Sequence, residues 1–354
     1  MPGALIVAAT LAAATLAAAT LASAVLATGC SDQGDPVTFD NSGATAAAGG
    51  PEKGATDRAA PARVGAKTLL PTGPRAQFTT ENSLDDGTKI GVTTLYGKKS
   101  GFTGKVWVWA PKQYFDPKYA KSGFPVLIAL PGGNGYPNNY WMGTDLKLQS
   151  SIGKWSKEGK SLPFIVVMPV LNPDDKNYYD GSDIPGQPKM GTWMTDDVPD
   201  FVRANFRTFK SRDGWAFMGS SSGGFVGLKS VLKRPDRFKA VIASGPDTVP
   251  DSPLWAGHEK ERQANNPERL AKALAAQPAG PSRKDVYLAF QVGTEESGLG
   301  SLRTFVKTYG KGPVKTRLQV IKGGEHNAKT YVKGMGDGTV QWISRHMQGP
   351  IPAP

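Results

Sequence analysis

Several short stretches of this chain are apolar at every position rather than at every second one. They include Pro125-Val126-Leu127-Ile128-Ala129-Leu130, Phe164-Ile165-Val166-Val167-Met168-Pro169 and Trp215-Ala216-Phe217-Met218. A strand that is apolar on both faces must be covered on both faces, which is the condition of a parallel sheet between two helical layers. The segments between such runs carry helical spacing. Over residues 196–206, for instance, Val198, Phe201, Val202 and Phe206 share one face. Further strands are predicted over 105–110, 238–243, 286–292 and 316–321, and helices over 224–233, 266–276, 299–309 and 338–347. Strand alternating with helix predicts an α/β architecture, a mostly parallel doubly wound sheet in a single domain spanning residues 76–350.

The first 75 residues do not fit that pattern. Residues 4–29 carry no charge and are mostly Ala, Leu, Val and Thr, long enough to cross a bilayer. They end in Leu26-Ala27-Thr28-Gly29-Cys30, a small residue before a lone cysteine, which resembles a bacterial lipoprotein signal with Cys30 as the lipidated residue. No Lys or Arg precedes the apolar run, so a cleaved secretory signal and an uncleaved anchor stay open. Each alternative puts the domain outside the cytoplasm, secreted or held at the bacterial cell envelope through Cys30 or residues 4–29. Residues 31–75, rich in Ala, Gly, Pro, Asp and Thr, read as a disordered linker, too poor in apolar groups to offset chain entropy. Cys30 is the only cysteine, so an intramolecular disulfide is excluded.

The 42 Lys and Arg against 30 Asp and Glu leave a net charge of +12. An anionic envelope suits this balance. No zinc-knuckle spacing, no basic region with heptads and no basic–aromatic sheet motif is present, so nucleic acid is not expected as a partner.

The chemistry sits in the turn after the Trp215–Met218 run, Gly219-Ser220-Ser221-Ser222-Gly223-Gly224. Centred on Ser221 it is G-x-S-x-G between a strand and a helix. In that context it is expected to be the nucleophile elbow of an α/β-hydrolase fold rather than a phosphate-binding or plain Gly/Ser loop, since the elbow needs glycines where side chains would collide with neighbouring backbone. Neither Ser220 nor Ser222 has glycine at both −2 and +2. The serine needs a base, and the chain has 3 histidines. His326 follows the last strand, where the fold places its histidine, whereas His258 and His346 read as surface residues. The base needs a carboxylate between Ser221 and His326 in chain order. Thr294-Glu295-Glu296 after the 286–292 strand supplies Glu296, with Glu295 as the alternative and Asp247 as an outlying one. The oxyanion hole is expected from the backbone N–H groups of Ser222 and of Gly133, or else Asn134, in the glycine loop after Leu130. Trp255, in a segment over the acyl site, is a candidate lining residue. No His-x-x-x-His or Cys/His cluster exists, so neither a metal nor another cofactor is expected.

These residues resemble the putative-esterase family of α/β hydrolases, which includes esterase D, feruloyl-type esterases and the trehalose mycolyltransferases. The resemblance spans about Leu95 to Met347. It rests on the 126–135 strand and glycine loop, Tyr178-Tyr179-Asp180, Trp193, the elbow continuing to Pro235-Asp236-Arg237-Phe238, Asn266-Pro267, Gly293-Thr294-Glu295-Glu296 and residues 324–327. It implies a glutamate as the third catalytic member, and a serine esterase that hydrolyses small-molecule or lipid esters through an acyl-Ser221 intermediate. Two alternatives remain: an acyltransferase that delivers the acyl group to a sugar or glycolipid, and a non-catalytic surface lipoprotein that binds cell-wall ligands. The last has no need of Ser221, Glu296 and His326 together.

Overall fold

A computed structural model describes residues 34–39, 67–280 and 283–353, which fall in one compact unit. The strands are β1 (Pro36–Val37), β2 (Thr68–Leu69), β3 (Phe78–Ser83), β4 (Lys89–Tyr96), β5 (Thr103–Trp109), β6 (Val126–Leu130), β7 (Ile165–Pro169), β8 (Thr208–Phe209), β9 (Trp215–Ser220), β10 (Ala240–Ser244), β11 (Val286–Gly293) and β12 (Val314–Ile321). A 10-stranded sheet runs in the order β1-β3-β4-β5-β7-β6-β9-β10-β11-β12, while β2 and β8 form a small separate pair. Pairing is antiparallel from β1 as far as β7 and parallel from β7 to β12.

The wholly apolar runs became the buried centre, as their composition requires. Val126, Leu127, Ile128 and Leu130 of β6 are fully buried. Burial of side chains of this size contributes about 2 kcal/mol each. Helices Val198–Asn205, Ser222–Lys233, Pro267–Ala275 and Leu299–Tyr309 connect the parallel strands. Asn266-Pro267 starts one of them as a cap: the Asn266 side chain accepts from the N–H groups of Glu268 and Arg269, with proline at the first helical position.

The strand order reverses around β6. From β6 the chain crosses one way to β7 and later the other way to β9. The carboxyl ends of β6 and β9 therefore flank a crevice at the switch point, where open α/β sheets bind their ligands.

The structure departs from the sequence reading at the edges. Two pieces of the expected 31–75 linker are folded. β1 pairs with β3 through Pro36↔Thr79 and Val37↔Phe78. Phe39 is buried, edge-on at 5.1 Å to both Phe78 and Phe206. β2 pairs with β8, and Gly73 N–H reaches the Ala204 carbonyl at 2.9 Å. Val37 and Phe39 are apolar residues in a stretch of otherwise linker-like composition, and burying one phenylalanine outweighs the ordering of a few residues. The domain thus takes in residues before 76. Cys30 and residues 4–29 lie outside the described residues. Among the described residues, no helix is long and apolar enough to cross a membrane.

Candidate active site

The elbow is built by sterics. Ser221 sits at φ 51°, ψ −122°, a left-side conformation that non-glycine residues rarely adopt, at the head of helix Ser222–Lys233. Its N–H donates to the Ser244 carbonyl at 2.8 Å and its carbonyl accepts from Phe225 N–H at 2.9 Å, so neighbouring β10 and the helix both hold it. The flanking glycines are obligatory. A Cβ on Gly219 would meet the backbone of Gly223, and one on Gly223 would lie 2.5 Å from the Leu130 carbonyl oxygen and still closer to that of Pro131.

The same close approach brings the β6 loop against the elbow. A Cβ on Gly132 would be 3.3 Å from Ser221 Cβ. The loop is pinned from below by Asn139, fully buried, whose Nδ2 donates to the carbonyls of Ala129 and Pro169 at 2.9 Å each. Trp141 Nε1 donates to the Leu130 carbonyl at 2.9 Å. From above, Gly132 N–H donates to Tyr140 Oη at 2.8 Å, and the Tyr140 and Ser220 hydroxyls are hydrogen-bonded to each other. Burial pushes the Tyr140 phenol up, against the lowering effect of those two contacts, so it stays a neutral hydroxyl. Gly133 adopts φ +64° and its carbonyl accepts from Ser222 Oγ at 2.7 Å. Neither Gly133 N–H nor Ser222 N–H is used in a turn or loop hydrogen bond among the described residues. At the fallback residue, Asn134, the carbonyl accepts from Asn172 Nδ2 at 2.6 Å and the side chain donates to the Asp175 carbonyl, which fixes the loop without engaging its backbone N–H.

Across the crevice, the loops after β11 and β12 meet. His326 Nδ1 lies 2.6 Å from Glu296 Oε2, a pair 30 residues apart in sequence. The Glu296 side chain is 4% exposed and His326 50% exposed. Glu296 Oε1 accepts from Gly293 N–H at 2.6 Å. Glu295, the alternative acid, faces solvent, its carboxylate taken by Thr294 Oγ1 at 3.1 Å. Asp247 is exposed as well. His258 stands just before a short helix without a side-chain capping bond, and His346 stacks on Tyr287 at 4.0 Å.

Ser221, His326, Gly132, Gly133, Ser220, Tyr140, Tyr331, Asp145 and Leu146 are among the residues lining one cleft of about 430 Å³. Sequence reasoning missed Tyr140 and Tyr331 in it. Tyr140 follows a loop without regular period, and Tyr331 lies in helix Ala328–Gly334, too short to show one. Trp255 is not a lining residue. It is buried, and its indole N–H donates to the Asp180 carboxylate. Burial pushes Asp180 up to about 6. Burial likewise brings the Lys229 amine down to about 7. Lys229, on the helix behind the elbow, donates to the Asp180 and Gly181 carbonyls and to Ser182 Oγ, tying the 178–182 loop to helix Ser222–Lys233. A larger groove of about 590 Å³, lined by residues 36–39 and 86–89 among others, holds neither serine nor histidine. Among the described residues, no group of three or more His, Cys, Asp or Glu is placed to hold a metal ion.

Residues 102–344 match the family model described as "Putative esterase". The chain belongs to that family. It is an esterase on an α/β-hydrolase-type sheet, and solved structures share the fold. A ferulic acid esterase superposes with a TM-score of 0.59 at 18% identity, covering 73% of this chain and 99% of its own. An S-formylglutathione hydrolase from Agrobacterium tumefaciens gives 0.58 at 17%, covering 77% and 99%. A serine-to-alanine mutant of the feruloyl esterase module from Clostridium thermocellum, complexed with sinapinate, gives 0.56 at 17%, covering 80% and 98%. No curated protein matches the esterase's sequence significantly.

Proposed function

We propose that this esterase works through an acyl-serine intermediate on Ser221. The observation that carries the reading is the shared cleft: a strained serine at a helix N-terminus, and a histidine whose Nδ1 is held by a buried glutamate. Ser221 Oγ attacks the ester carbonyl carbon while His326 Nε2 takes its proton. The tetrahedral oxyanion is held by the N–H groups of Gly133 and Ser222, with the helix dipole behind them. Collapse expels the alcohol, which takes the proton from His326, and leaves the acyl group on Ser221. Water then repeats the sequence, its proton going to His326, and the acid departs. Glu296 keeps the imidazole oriented and stabilises the imidazolium.

Half of the His326 side chain is open to solvent, so water reaches the acyl-enzyme directly. This favours hydrolysis over transfer to a sugar or glycolipid, which requires water to be excluded. A cleft of about 430 Å³ walled by Tyr140 and Leu146 suits a compact acyl group, short-chain or a single aromatic acid, in keeping with the sinapinate named for one structural neighbour.

The test is turnover of p-nitrophenyl acetate, butyrate, decanoate and ferulate, with fluorophosphonate labelling of the wild type and Ser221→Ala. Turnover and labelling in the wild type alone support the reading, with the acetate, butyrate and ferulate esters ahead of decanoate. Equal labelling of both proteins sinks it. Export is proposed from the charge-free residues 4–29 and from Cys30. The mature N-terminal mass checks this: a lipidated Cys30 or a cleaved terminus supports export, and an intact cytoplasmic chain overturns it.

A further inference from the structure

The geometry points to Tyr331 as a positioning residue that fixes the tautomer of His326. This rests on the acyl-Ser221 reading, because the tautomer matters only if His326 is the base. Glu296 Oε2 receives two neighbours. His326 Nδ1 stands 2.6 Å away, and Tyr331 Oη donates to it at 2.8 Å. The third side of the triangle closes too, with Tyr331 Oη 2.9 Å from Nδ1. The other oxygen, Oε1, is occupied by Gly293 N–H.

A phenol has one proton to give. Burial raises the Tyr331 hydroxyl far above its ordinary range, and the neighbouring carboxylate raises it further, so the proton stays on Oη. A carboxylate is the stronger acceptor of the two groups in reach, so that proton goes to Oε2. The lone pairs of Oη then face Nδ1. An imidazole with a bare Nδ1 would set its own lone pair against two electron-rich oxygens within 2.9 Å. An Nδ1–H instead finds two acceptors. The triangle therefore holds the proton on Nδ1 and leaves Nε2 bare, the form that can take a proton from Ser221.

The surroundings hold the phenol there. Tyr331 is 1% exposed and its ring stands edge-on to His326, at 5.8 Å between centroids. Its carbonyl accepts from Gln291 Nε2 at 3.3 Å, and Gln291 is itself bonded to Ser244 and Thr339. Gly245, at φ +53° after β10, leaves the room. A Cβ there would lie 2.6 Å from Glu296 Oε2, 2.8 Å from His326 Cε1, and closest of all to the Tyr331 hydroxyl. A glutamate alone could favour the same tautomer, and the second acceptor is what Tyr331 adds.

The experiment is Tyr331→Phe, read by ester kinetics and by 15N NMR of the full-length chain labelled at histidine, with His326 assigned by its loss in His326→Asn. Losing the tautomer entirely costs a serine hydrolase about 10⁴-fold in kcat. With Glu296 still present, a fall of about tenfold in kcat is expected, with KM within about twofold. The resonances of the neutral His326 ring should move from Nδ1–H towards a mixture of tautomers. Gly245→Ala, which crowds the same hydroxyl, should shift the spectrum the same way. A Tyr331→Phe protein whose His326 spectrum matches the wild type overturns the proposal, whether or not kcat falls. Retained activity in Ser221→Ala would instead overturn the acyl-serine reading and leave the tautomer result standing.

Discussion

The two sides of the cleft are held by different physics. On the elbow side, backbone packs against backbone: Ser221 is locked between β10 and its helix, and Gly219 and Gly223 have no room for a Cβ. On the histidine side, side chains hold one another: Glu296 and His326, on loops after different strands, and Tyr331, on helix Ala328–Gly334, form a hydrogen-bonded triangle. A steric site tolerates no added atoms but depends little on polar partners. A hydrogen-bonded site tolerates small changes of shape and none of proton inventory. Mutations that change one quantity and spare the other should separate the two.

The largest effect is expected at the elbow's one chemical group. Ser221→Ala removes the proposed nucleophile with no added bulk, and kcat should fall by about 10⁵-fold or more, or about 7 kcal/mol of barrier. Across the cleft, Glu296→Gln keeps the shape and changes the protons. The amide can still accept from Gly293 but can present a donor to Nδ1, inverting the tautomer, so kcat should drop about 10³- to 10⁴-fold. Glu295→Gln, on the neighbouring solvent-facing residue, should stay within about twofold of the wild type. Steady-state kinetics on one chromogenic ester decides both. Equal losses for the two glutamates would mean that the buried 2.6 Å contact is not what the base uses.

This contrast also explains what could be read from sequence. The elbow was legible because its constraint is local: a serine between glycines, after one apolar strand and before one helix. The central sheet was legible because β6, β7 and β9 are apolar at every position. The histidine side was half legible. Chain order places the acid between Ser221 and His326, which leaves Asp247 as well as the loop after β11, and nothing local separates Glu295 from Glu296. They differ only in which one Gly293 and His326 turn inward. Tyr331 was not legible at all, since its role depends on a glycine after β10 far away in the chain. The antiparallel edge was missed because β3 and β4 mix polar and apolar residues without a clean period, and their burial is one-sided at best. Residues 36–39 were missed because two apolar side chains in a polar stretch give no periodic signal.

A third variant probes sterics without touching chemistry. Gly223→Ala places a methyl group 2.5 Å from the Leu130 carbonyl oxygen. The obstacle is backbone, so it cannot rotate away, and the cost should lie near about 3 kcal/mol of folding stability. Because relief requires the β6 loop to retreat, kcat should fall as well, through the displaced Gly133 N–H. Thermal unfolding with kinetics on the folded fraction tests this. Full stability would mean that the elbow is looser than its packing indicates.

The smallest effect has the opposite sign. Ser221 holds φ 51°, ψ −122°, and a residue with a Cβ in such a region carries about 1–3 kcal/mol of strain. Ser221→Gly relieves it. Glycine also loses more chain entropy on folding, which costs about 0.5–1 kcal/mol. The hydroxyl contributes no offsetting hydrogen bond among the described residues, so its loss costs little. The net expectation is a protein without esterase activity that is more stable than the wild type by about 1 kcal/mol. On the histidine side, Tyr331→Phe should do the reverse, losing stability because it leaves part of a buried carboxylate undersatisfied. Denaturant titration of the two variants beside the wild type measures both signs at once. Opposite shifts would show that the elbow stores strain while the Glu296–His326–Tyr331 triangle supplies stability. A destabilised Ser221→Gly would place the strain elsewhere and make the two sides of the cleft alike.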